Sequence, residues 1–346
     1  MNPAYETVIT ASEAERRDLF LSTAARLGTA IQNVEKDFWV CWTLDALFNG
    51  LDSNRPRLLF KGGTSLSKAF GLISRFSEDI DITVFRDDLG EPADVLELDA
   101  LSGNKRRQRL DSIRNACQEF INGPLLDQLL RRAADVFDQE RFRLEPDPED
   151  PDRQTLLFWY PSVSSRNENS YVRSAVKIES GAKSALDPHT LASATPYVAN
   201  DIPGIDLLVP NIVTVQPQRT FWDKIVILHG LRQWHDRKGV LRHGGQRVSR
   251  HYYDVYRLMQ TENAQHWLND HGLGQDCARH ARVFFGSTDL GLDTAVPGSL
   301  TLTPSPAMLE ALGKDYGAMS GMVFGAVPSL GDVLATVREI EEFVNG

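Results

Sequence analysis

Two aspartates separated by a single residue are the feature of this sequence best suited to chemistry. Asp79 and Asp81 lie in the alternating segment 79–84, whose pattern predicts a β-strand. Because side chains alternate along a strand, both carboxylates point to one face. Adjacent carboxylates repel each other unless a cation lies between them. The pair therefore suits Mg²⁺, a hard ion that prefers oxygen ligands and often binds substrate phosphates as well.

A glycine turn precedes this acidic strand. Residues 57–60 predict a short buried strand that runs into Gly62-Gly63, and a helix is expected from about Thr64 to Ser74. Glycine allows the backbone to approach a ligand closely, and a helix start presents N–H groups to phosphate. Strand, turn, helix and acidic strand together indicate a site for a triphosphate and a metal. The alternative is a surface strand with two solvated aspartates after an ordinary turn.

Other motifs for phosphate binding or nucleophilic catalysis are absent from the sequence. A P-loop needs Gly-Lys followed by Ser or Thr, but Lys68 follows Ser67 and precedes Ala69. No Gly-x-Gly-x-x-Gly opens a βαβ unit, and no Gly-x-Ser-x-Gly turn occurs. The acidic strand and its glycine turn are therefore the best candidate for a phosphate site.

Two further pairs of oppositely charged residues are spaced so that their side chains could meet. Lys177 and Glu179 are two positions apart on a predicted strand, so they share one face. Lys224 lies beside the apolar stripe of a predicted helix, and Asp254 lies on a later predicted helix. From spacing alone, the first pair fits an ion pair on an exposed strand face. The second fits a structural salt bridge between two packed helices.

A basic segment interrupts an otherwise acidic chain. Residues 231–250 carry six basic side chains, opposed only by Asp236: Arg232, Arg237, Lys238, Arg242, Arg247 and Arg250. These side chains could bind RNA phosphates, with Trp234 or the nearby histidines stacking on bases. The alternatives are a solvated loop or a docking face for an acidic partner. A second basic run, residues 105–109, is better explained as a solvated helix face.

Periodicity and turn residues predict an α/β N-terminal part and a helical C-terminal part. Strands are expected at 57–60, 79–84, 154–162, 170–180 and 211–216. Helices are expected at 12–28, 31–49, 64–74, 103–137, 218–233, 250–261, 263–283, 305–320 and 329–344. The acidic, proline-rich stretch 145–153 is expected to be a loop or hairpin tip. These elements predict two domains, residues 1–216 and residues 217–346.

The composition is that of an ordinary globular protein. Of the 346 residues, 42% are hydrophobic and 24% are charged, which argues against a disordered or fibrous chain. A net charge of −10 excludes a wholly basic nucleic-acid coat protein. Cys41, Cys117 and Cys277 are widely spaced, so neither a disulfide framework nor a cysteine zinc site is expected. We see no leader-like N-terminus and no long apolar stretch, and therefore expect a cytoplasmic protein that does not span a membrane.

The glycine turn and the acidic strand resemble the first motif of the AbiEii/AbiGii-type nucleotidyltransferase toxins. These include the MenT-like toxins and belong to the DNA-polymerase-β-like nucleotidyltransferase superfamily. The resemblance rests on 61–66 (KGGTSL) and 75–81 (RFSEDID), and 34–39 (VEKDFW) is similar to the family's lead-in helix. It extends over about residues 31–85 and 170–260. It implies an α/β polymerase-β-like nucleotidyltransferase core with a mixed β-sheet and a helical C-terminal domain.

The resemblance implies transfer of a nucleoside monophosphate from an NTP to an acceptor hydroxyl, with release of pyrophosphate. Two Mg²⁺ ions would be held by Asp79, Asp81 and Glu179, and Glu179 would accept the proton of the attacking hydroxyl. Lys224, steadied by Asp254, would neutralise charge on the phosphates. The triphosphate would lie along a set of small residues and hydroxyls: Gly62, Gly63, Thr64, Ser65 and Ser77.

The resemblance also implies a biological role. The acceptor would be RNA, notably the tRNA 3′ end, and its extension would block translation. The protein would be the toxin of a toxin–antitoxin or phage-defence pair, neutralised by a separately encoded antitoxin. Two residues depart from the family pattern, since Ser65 lies 14 residues before Asp79 and His251 stands where an aspartate is common. The alternatives are an enzyme that modifies a small-molecule or protein hydroxyl, and a non-catalytic binding module on the same core.

Overall fold

The computed structural model describes residues 1–77, 79–138, 140–164, 174–245 and 248–346. These residues form two compact units. Unit 1 comprises Met1–Phe70, Phe76–Ala93 and Ser102–Val215, and unit 2 comprises Gly71–Arg75, Asp94–Leu101 and Gln216–Gly346. Two short segments of the N-terminal half thus belong to the unit that contains the C-terminal helices. The boundary expected from the sequence between residues 216 and 217 stays a prediction.

The secondary structure follows the chain as an alternation of helices and strands, then helices alone. The described α-helices are α1 (Ala4–Ile9), α2 (Glu13–Leu27), α3 (Ile31–Asn49), α4 (Gly62–Lys68), α5 (Val95–Ala100), α6 (Gly103–Phe120), α7 (Leu126–Ala134), α8 (Pro217–Lys238), α9 (Ser249–Met259), α10 (Ala264–Asn269), α11 (His271–Phe285), α12 (Pro306–Met319) and α13 (Leu330–Asn345). The described strands are β1 (Leu58–Lys61), β2 (Asp79–Val84), β3 (Arg143–Pro146), β4 (Thr155–Trp159), β5 (Ala175–Glu179), β6 (His189–Ala194) and β7 (Val209–Val215). A π-helical turn, Ile121–Leu125, joins α6 to α7.

The strands of unit 1 form a mixed sheet. Its seven described strands follow the order β3-β4-β5-β2-β1-β7-β6. β2 runs parallel to β5 and β1 runs parallel to β7, whereas the other neighbouring strands are antiparallel. A mixed sheet with helices confirms the expected α/β fold class. The sequence does not predict the two edge strands, β3 and β6.

Helix α3 covers one face of this sheet, and the acidic residues of β2 lie on the opposite face. Trp42 of α3 stacks on Phe158 of β4, with ring centroids 5.1 Å apart. The strand registers place Phe158 on the same face as Ile178 of β5 and Ile80 of β2, and both isoleucines are fully buried. Because side chains alternate along β2, its two aspartates lie on the opposite face.

Helix α4 is shorter than expected from the sequence. It ends at Lys68 rather than near Ser74. Gly71 has a φ of +64°, in the left-handed region, where a right-handed helix cannot continue. Residues 71–75 belong to unit 2, where the Ser74 carbonyl accepts a hydrogen bond of 2.8 Å from the N–H of Phe324. Long-range pairing therefore overrides the local helical pattern.

The described residues of unit 2 are predominantly helical. Phe221, Ile225 and Leu228 of α8 are fully buried, as their helical spacing predicts. Helix α8 packs against α9 and α11, and α9 packs against α12 and α13. None of the described helices is both long and apolar enough to cross a membrane.

The segment 263–283 is two helices rather than the single helix expected. Asp270 lies between α10 and α11, and its backbone leaves the helical region. Its carboxylate accepts the N–H of Leu273 in the first turn of α11. Asp270 caps a new helix in this way, so the helix is interrupted there. The periodicity of apolar residues alone predicts a continuous helix.

Candidate active site

The two aspartates of β2 lie on a sheet face with other charged side chains. The strand register places Asp79 beside Lys177 of β5 and Asp81 beside Glu179 of β5. On the other side of β2, Asp81 is paired with Lys61 of β1. Paired residues on adjacent strands point to the same side of a sheet. The structure thus brings the three carboxylates singled out from the sequence onto one face, together with two lysines. We call these five side chains the carboxylate face.

Gly62 is the residue of the glycine turn that lies against this face. Its φ is +79°, which side chains other than glycine adopt rarely. A Cβ atom at this position would lie 2.1 Å from Oδ2 of Asp81. The Asp81 carboxylate therefore occupies the space that any other residue at position 62 would need. Gly63 follows as the second residue of α4 and is half-buried.

The hydroxyl groups expected near a triphosphate are engaged within the protein. Ser65 is fully buried and its Oγ donates to the carbonyl of Gly62 at 2.8 Å. Thr64 is also fully buried, and its Oγ1 hydrogen-bonds Ser77 Oγ at 2.7 Å and lies against the Asp79 carbonyl. These bonds connect the glycine turn to the start of β2. Ser77 is half-buried, so it is the most exposed of these three residues.

Lysine ammonium groups bond the carboxylates of this face. Lys177 Nζ lies 2.9 Å from Oε1 of Glu179 and 3.7 Å from Oδ2 of Asp147. Lys61 Nζ lies 3.8 Å from Oδ1 of Asp81. Burial would lower the pKa of Lys177, but hydrogen bonding and attraction from Glu179, with Asp79 and Asp147, hold its pKa above the usual range. The lysine is therefore charged at neutral pH.

The chemistry of the donor atoms on this face suits a hard cation. Carboxylate oxygens of Asp79, Asp81 and Glu179 are ligands that Mg²⁺ prefers, and the Gly62 backbone leaves room for the Asp81 carboxylate. Among the described residues, no group of three or more His, Cys, Asp or Glu side chains is close enough to hold one metal ion. The ammonium of Lys177 instead takes the Glu179 oxygen.

A second charged cluster lies within unit 2. Lys224 Nζ lies 2.8 Å from Oδ2 of Asp254, as the sequence pattern allowed. The sequence did not reveal that Arg75 binds the same carboxylate through two bonds of 2.7 and 2.8 Å. Arg75 stands in the 75–81 motif, but 179 residues separate it from Asp254. All three side chains are almost completely buried.

Burial and the opposite charges together set the ionisation of this cluster. Burial alone would raise the pKa of Asp254, but Arg75 and Lys224 more than offset it and hold the pKa well below its usual range. Burial lowers the pKa of Lys224, an effect that Asp254 opposes and Arg75 and Arg250 increase. Burial also lowers the pKa of His251, with Lys224 and Arg250 adding to the effect. His251 is therefore neutral beside two cations.

The basic segment lies at the end of α8 and the turn after it. Arg237 is exposed, and Lys238 is exposed with its Nζ 3.0 Å from Oδ2 of Asp289. The Lys238 ammonium and the Arg242 guanidinium each lie 5.7 Å from the ring centroid of Trp234. Arg250 is half-buried in α9. The remaining candidate, Arg247, lies outside the described residues.

Comparison with known proteins gives a matching family model and similar solved structures. No curated protein matches the chain. The chain is similar in structure to MenT4, a nucleotidyltransferase toxin from Mycobacterium tuberculosis, with 15% sequence identity and a TM-score of 0.48 over 94% of this chain and 89% of that one. The family model described as "Nucleotidyl transferase AbiEii toxin, Type IV TA system" matches residues 45–344. That match covers most of the sequence, so the chain belongs to the AbiEii family of nucleotidyltransferase toxins of type IV toxin–antitoxin systems.

Proposed function

We propose that this protein transfers a nucleoside monophosphate from an NTP to an RNA acceptor, the tRNA 3′ end, and thereby blocks translation. The observation that carries the proposal is the carboxylate face. Asp79 and Asp81 point to one side of β2, Glu179 is in register beside them, and the Gly62 backbone lies against Asp81. Membership of a nucleotidyltransferase toxin family supports the same chemistry.

Each residue of the carboxylate face has a separate task in this proposal. Asp79 and Asp81 hold the hard cation, and Glu179 joins them or accepts the proton of the attacking hydroxyl. Mg²⁺, when bound, supplies positive charge that stabilises the phosphates and the attacking oxygen. The glycine turn offers its backbone to the triphosphate through Gly62 and Gly63. Ser77 adds a hydroxyl, whereas Thr64 and Ser65 fix the turn by bonding within the protein.

Lys224 neutralises phosphate charge in this proposal, and Asp254 orients it. The Lys224 ammonium is already held by Asp254, and Arg75 in turn holds the Asp254 carboxylate. Lys224 therefore loses little conformational freedom when a phosphate binds. Charge that grows on the phosphates in the transition state is stabilised best by such a preorganised cation.

The basic segment supports an RNA acceptor. Arg237, Lys238 and Arg242 lie close together in the sequence of a chain of net charge −10, and the last two each lie 5.7 Å from the ring centroid of Trp234. Basic side chains bind phosphates and aromatic rings stack on bases, which is how single-stranded RNA ends are bound. We further expect action in the cytoplasm, a separately encoded antitoxin and a role in phage defence.

The test is transfer of label from NTP to tRNA. Purified protein, Mg²⁺ and total tRNA are incubated with each α-³²P-labelled NTP in turn. Label should reach a tRNA-sized band with at least one NTP, and chelation of Mg²⁺ should abolish it. Asp79→Ala should lose this activity, whereas Asp87→Ala, which removes an exposed aspartate just after β2, should retain it.

Two outcomes would overturn the proposal. Folded protein that labels no RNA with any NTP, but labels a protein or small molecule in an extract, would show a different acceptor on the same core. An Asp79→Ala variant that keeps full cellular toxicity would show that the protein acts by binding rather than by catalysis.

A further inference from the structure

Lys177 lies beside two carboxylates of the carboxylate face. It is in register with Asp79, and its Nζ is 2.9 Å from the Glu179 carboxylate. Lys61 flanks Asp81 from the opposite strand. In the part of the chain that the structure describes, the ammonium groups of Lys61 and Lys177 thus offset part of the negative charge of Asp79, Asp81 and Glu179. Such a face attracts a divalent cation far less strongly than three carboxylates alone would.

We propose that Lys177 competes with a divalent cation for the Glu179 carboxylate and thereby keeps the metal affinity of the site low until a triphosphate binds. The inference rests on the proposed function, because it takes the carboxylate face to be the metal site. Lys177 acts here as a positioning residue, since it determines whether Glu179 oxygen is available to a metal. A triphosphate brings several negative charges to the site. These charges offset the repulsion between the Lys177 ammonium and a divalent cation, so that both can be held there.

Asp147 gives the displaced ammonium a second partner. Its Oδ2 is 3.7 Å from Lys177 Nζ, and the residue is 4% exposed. Its Oδ1 accepts the N–H of Glu149 at 3.0 Å, which fixes the carboxylate in the β3–β4 turn. A lysine that moves from Glu179 to Asp147 keeps a charge-assisted bond throughout. Exchange of the lysine for a metal at Glu179 therefore does not leave the Lys177 ammonium without a carboxylate partner.

The experiment measures Mn²⁺ binding to the full-length protein by electron paramagnetic resonance, with and without an α,β-methylene NTP analogue. Without the analogue, Lys177→Met should bind Mn²⁺ at least about tenfold more tightly than the wild type, because a positive charge has left the site. Lys177→Arg keeps the charge and should behave like the wild type. Lys105→Met, which removes an exposed lysine on α6, is the matched control and should change nothing.

A double-mutant cycle separates competition from a general field effect. In a Glu179→Gln background, Lys177→Met should gain less than about threefold, because the oxygen for which lysine competes is gone. An equal gain in both backgrounds would overturn the inference, as would unchanged Mn²⁺ affinity in Lys177→Met. If the Lys177→Met variant unfolds, the double variant Lys177→Met with Asp147→Asn takes its place in the cycle. This double variant removes the lysine and also the negative charge of its second partner. Failure of the wild type to bind Mn²⁺ even with the analogue would instead refute the metal site and the proposed function.

Discussion

At the scale of single residues, Gly62 determines where the Asp81 carboxylate can lie. Gly62→Ala would place a Cβ atom 2.1 Å from Oδ2 of Asp81 and impose a φ of +79° on alanine. The strained backbone should cost about 1–2 kcal/mol of stability. Displacement of Asp81 should lower the rate of nucleotidyl transfer about a hundredfold. Unfolding in urea and initial rates of label transfer measure the two effects separately.

Gly90 provides the control for that substitution. It has a φ of +74°, but an added Cβ would meet no atom within 4 Å. Gly90→Ala should therefore lose similar stability and keep its activity. Equal loss of activity in both variants would show that backbone strain, and not contact with Asp81, accounts for the effect.

Lys224 can be tested separately from the fold because Asp254 has a second partner. Lys224→Met leaves Arg75 bonded to both oxygens of Asp254 and should cost less than about 2 kcal/mol of stability. Its transfer rate should fall at least about a hundredfold, since a preorganised cation is lost from the transition state. Asp254→Asn leaves two buried cations adjacent to each other and should cost about 3–5 kcal/mol. An active Lys224→Met enzyme would identify this cluster as a structural salt bridge.

Sequence patterns identified acidic residues better than their cationic partners. Alternation along β2 was enough to place Asp79 and Asp81 on one face, because the period of a strand is fixed by backbone geometry. Arg75 could not be assigned to Asp254, since only the tertiary fold brings together residues so distant along the chain. The Lys177–Glu179 pair is visible as Lys-x-Glu on a strand, but its contact with Asp147 depends on the β3–β4 turn.

At the scale of elements, a buried ion pair fastens helix α4 to helix α3. Lys68 Nζ lies 2.6 Å from Oδ1 of Asp37 and 3.6 Å from the ring centroid of Tyr197. Lys68→Met leaves the Asp37 carboxylate buried without its cation and should cost about 3–5 kcal/mol of unfolding free energy. Adding Asp37→Asn to Lys68→Met should recover at least half of the lost unfolding free energy, because the uncompensated charge of Asp37 is gone.

An exposed ion pair provides the comparison. Lys314 and Glu310 are spaced four residues apart on α12 and are 76% and 82% exposed. Lys314→Met should change stability by less than about 0.5 kcal/mol. Urea unfolding curves of the wild type and of the three variants measure these differences in stability. A loss at Lys68 as small as the loss at Lys314 would mean that the buried pair is not what holds α4 in place.

His229 should make the stability of unit 2 depend on pH. It is fully buried, its Nδ1 accepts the N–H of Thr301 at 3.0 Å, and its Nε2 therefore donates to the carbonyl of Gly291. Burial lowers its pKa below the ordinary value of 6.5. The unfolded chain then takes up a proton first, so stability is full above about pH 6.5 and falls as the pH drops toward the folded pKa.

His229→Gln should flatten that dependence. It should cost about 1–3 kcal/mol at pH 8, where a hydrogen-bonded imidazole is lost. The difference in unfolding free energy from the wild type should shrink as the pH falls from 8 to 5.5, because only the wild type loses stability through this group. A difference that stays constant over this range would refute the assignment.

The elements themselves were predictable where local patterns agree with tertiary packing. Helix α2, expected over 12–28, begins with a capping box of Ser12 and Glu15 and ends before Gly28, whose φ is +64°. Strand β6 (HTLASA) escaped prediction because it is an edge strand, with small residues and only weak alternation. The end of α4 escaped prediction because residues 71–75 pair with distant parts of unit 2.

At the scale of the whole molecule, the net charge of −10 opposes RNA binding, so any binding must come from a local excess of positive charge. The salt dependence of binding counts the phosphates contacted, since each contact releases counterions. Arg237→Gln with Arg242→Gln should reduce the slope of log K against log salt by roughly 1–2 and weaken tRNA binding at low salt. Lys105→Gln with Arg107→Gln alters the net charge equally on α6 and should leave the slope unchanged. Equal changes for both pairs would mean that overall charge, and not the basic segment, governs contact with RNA.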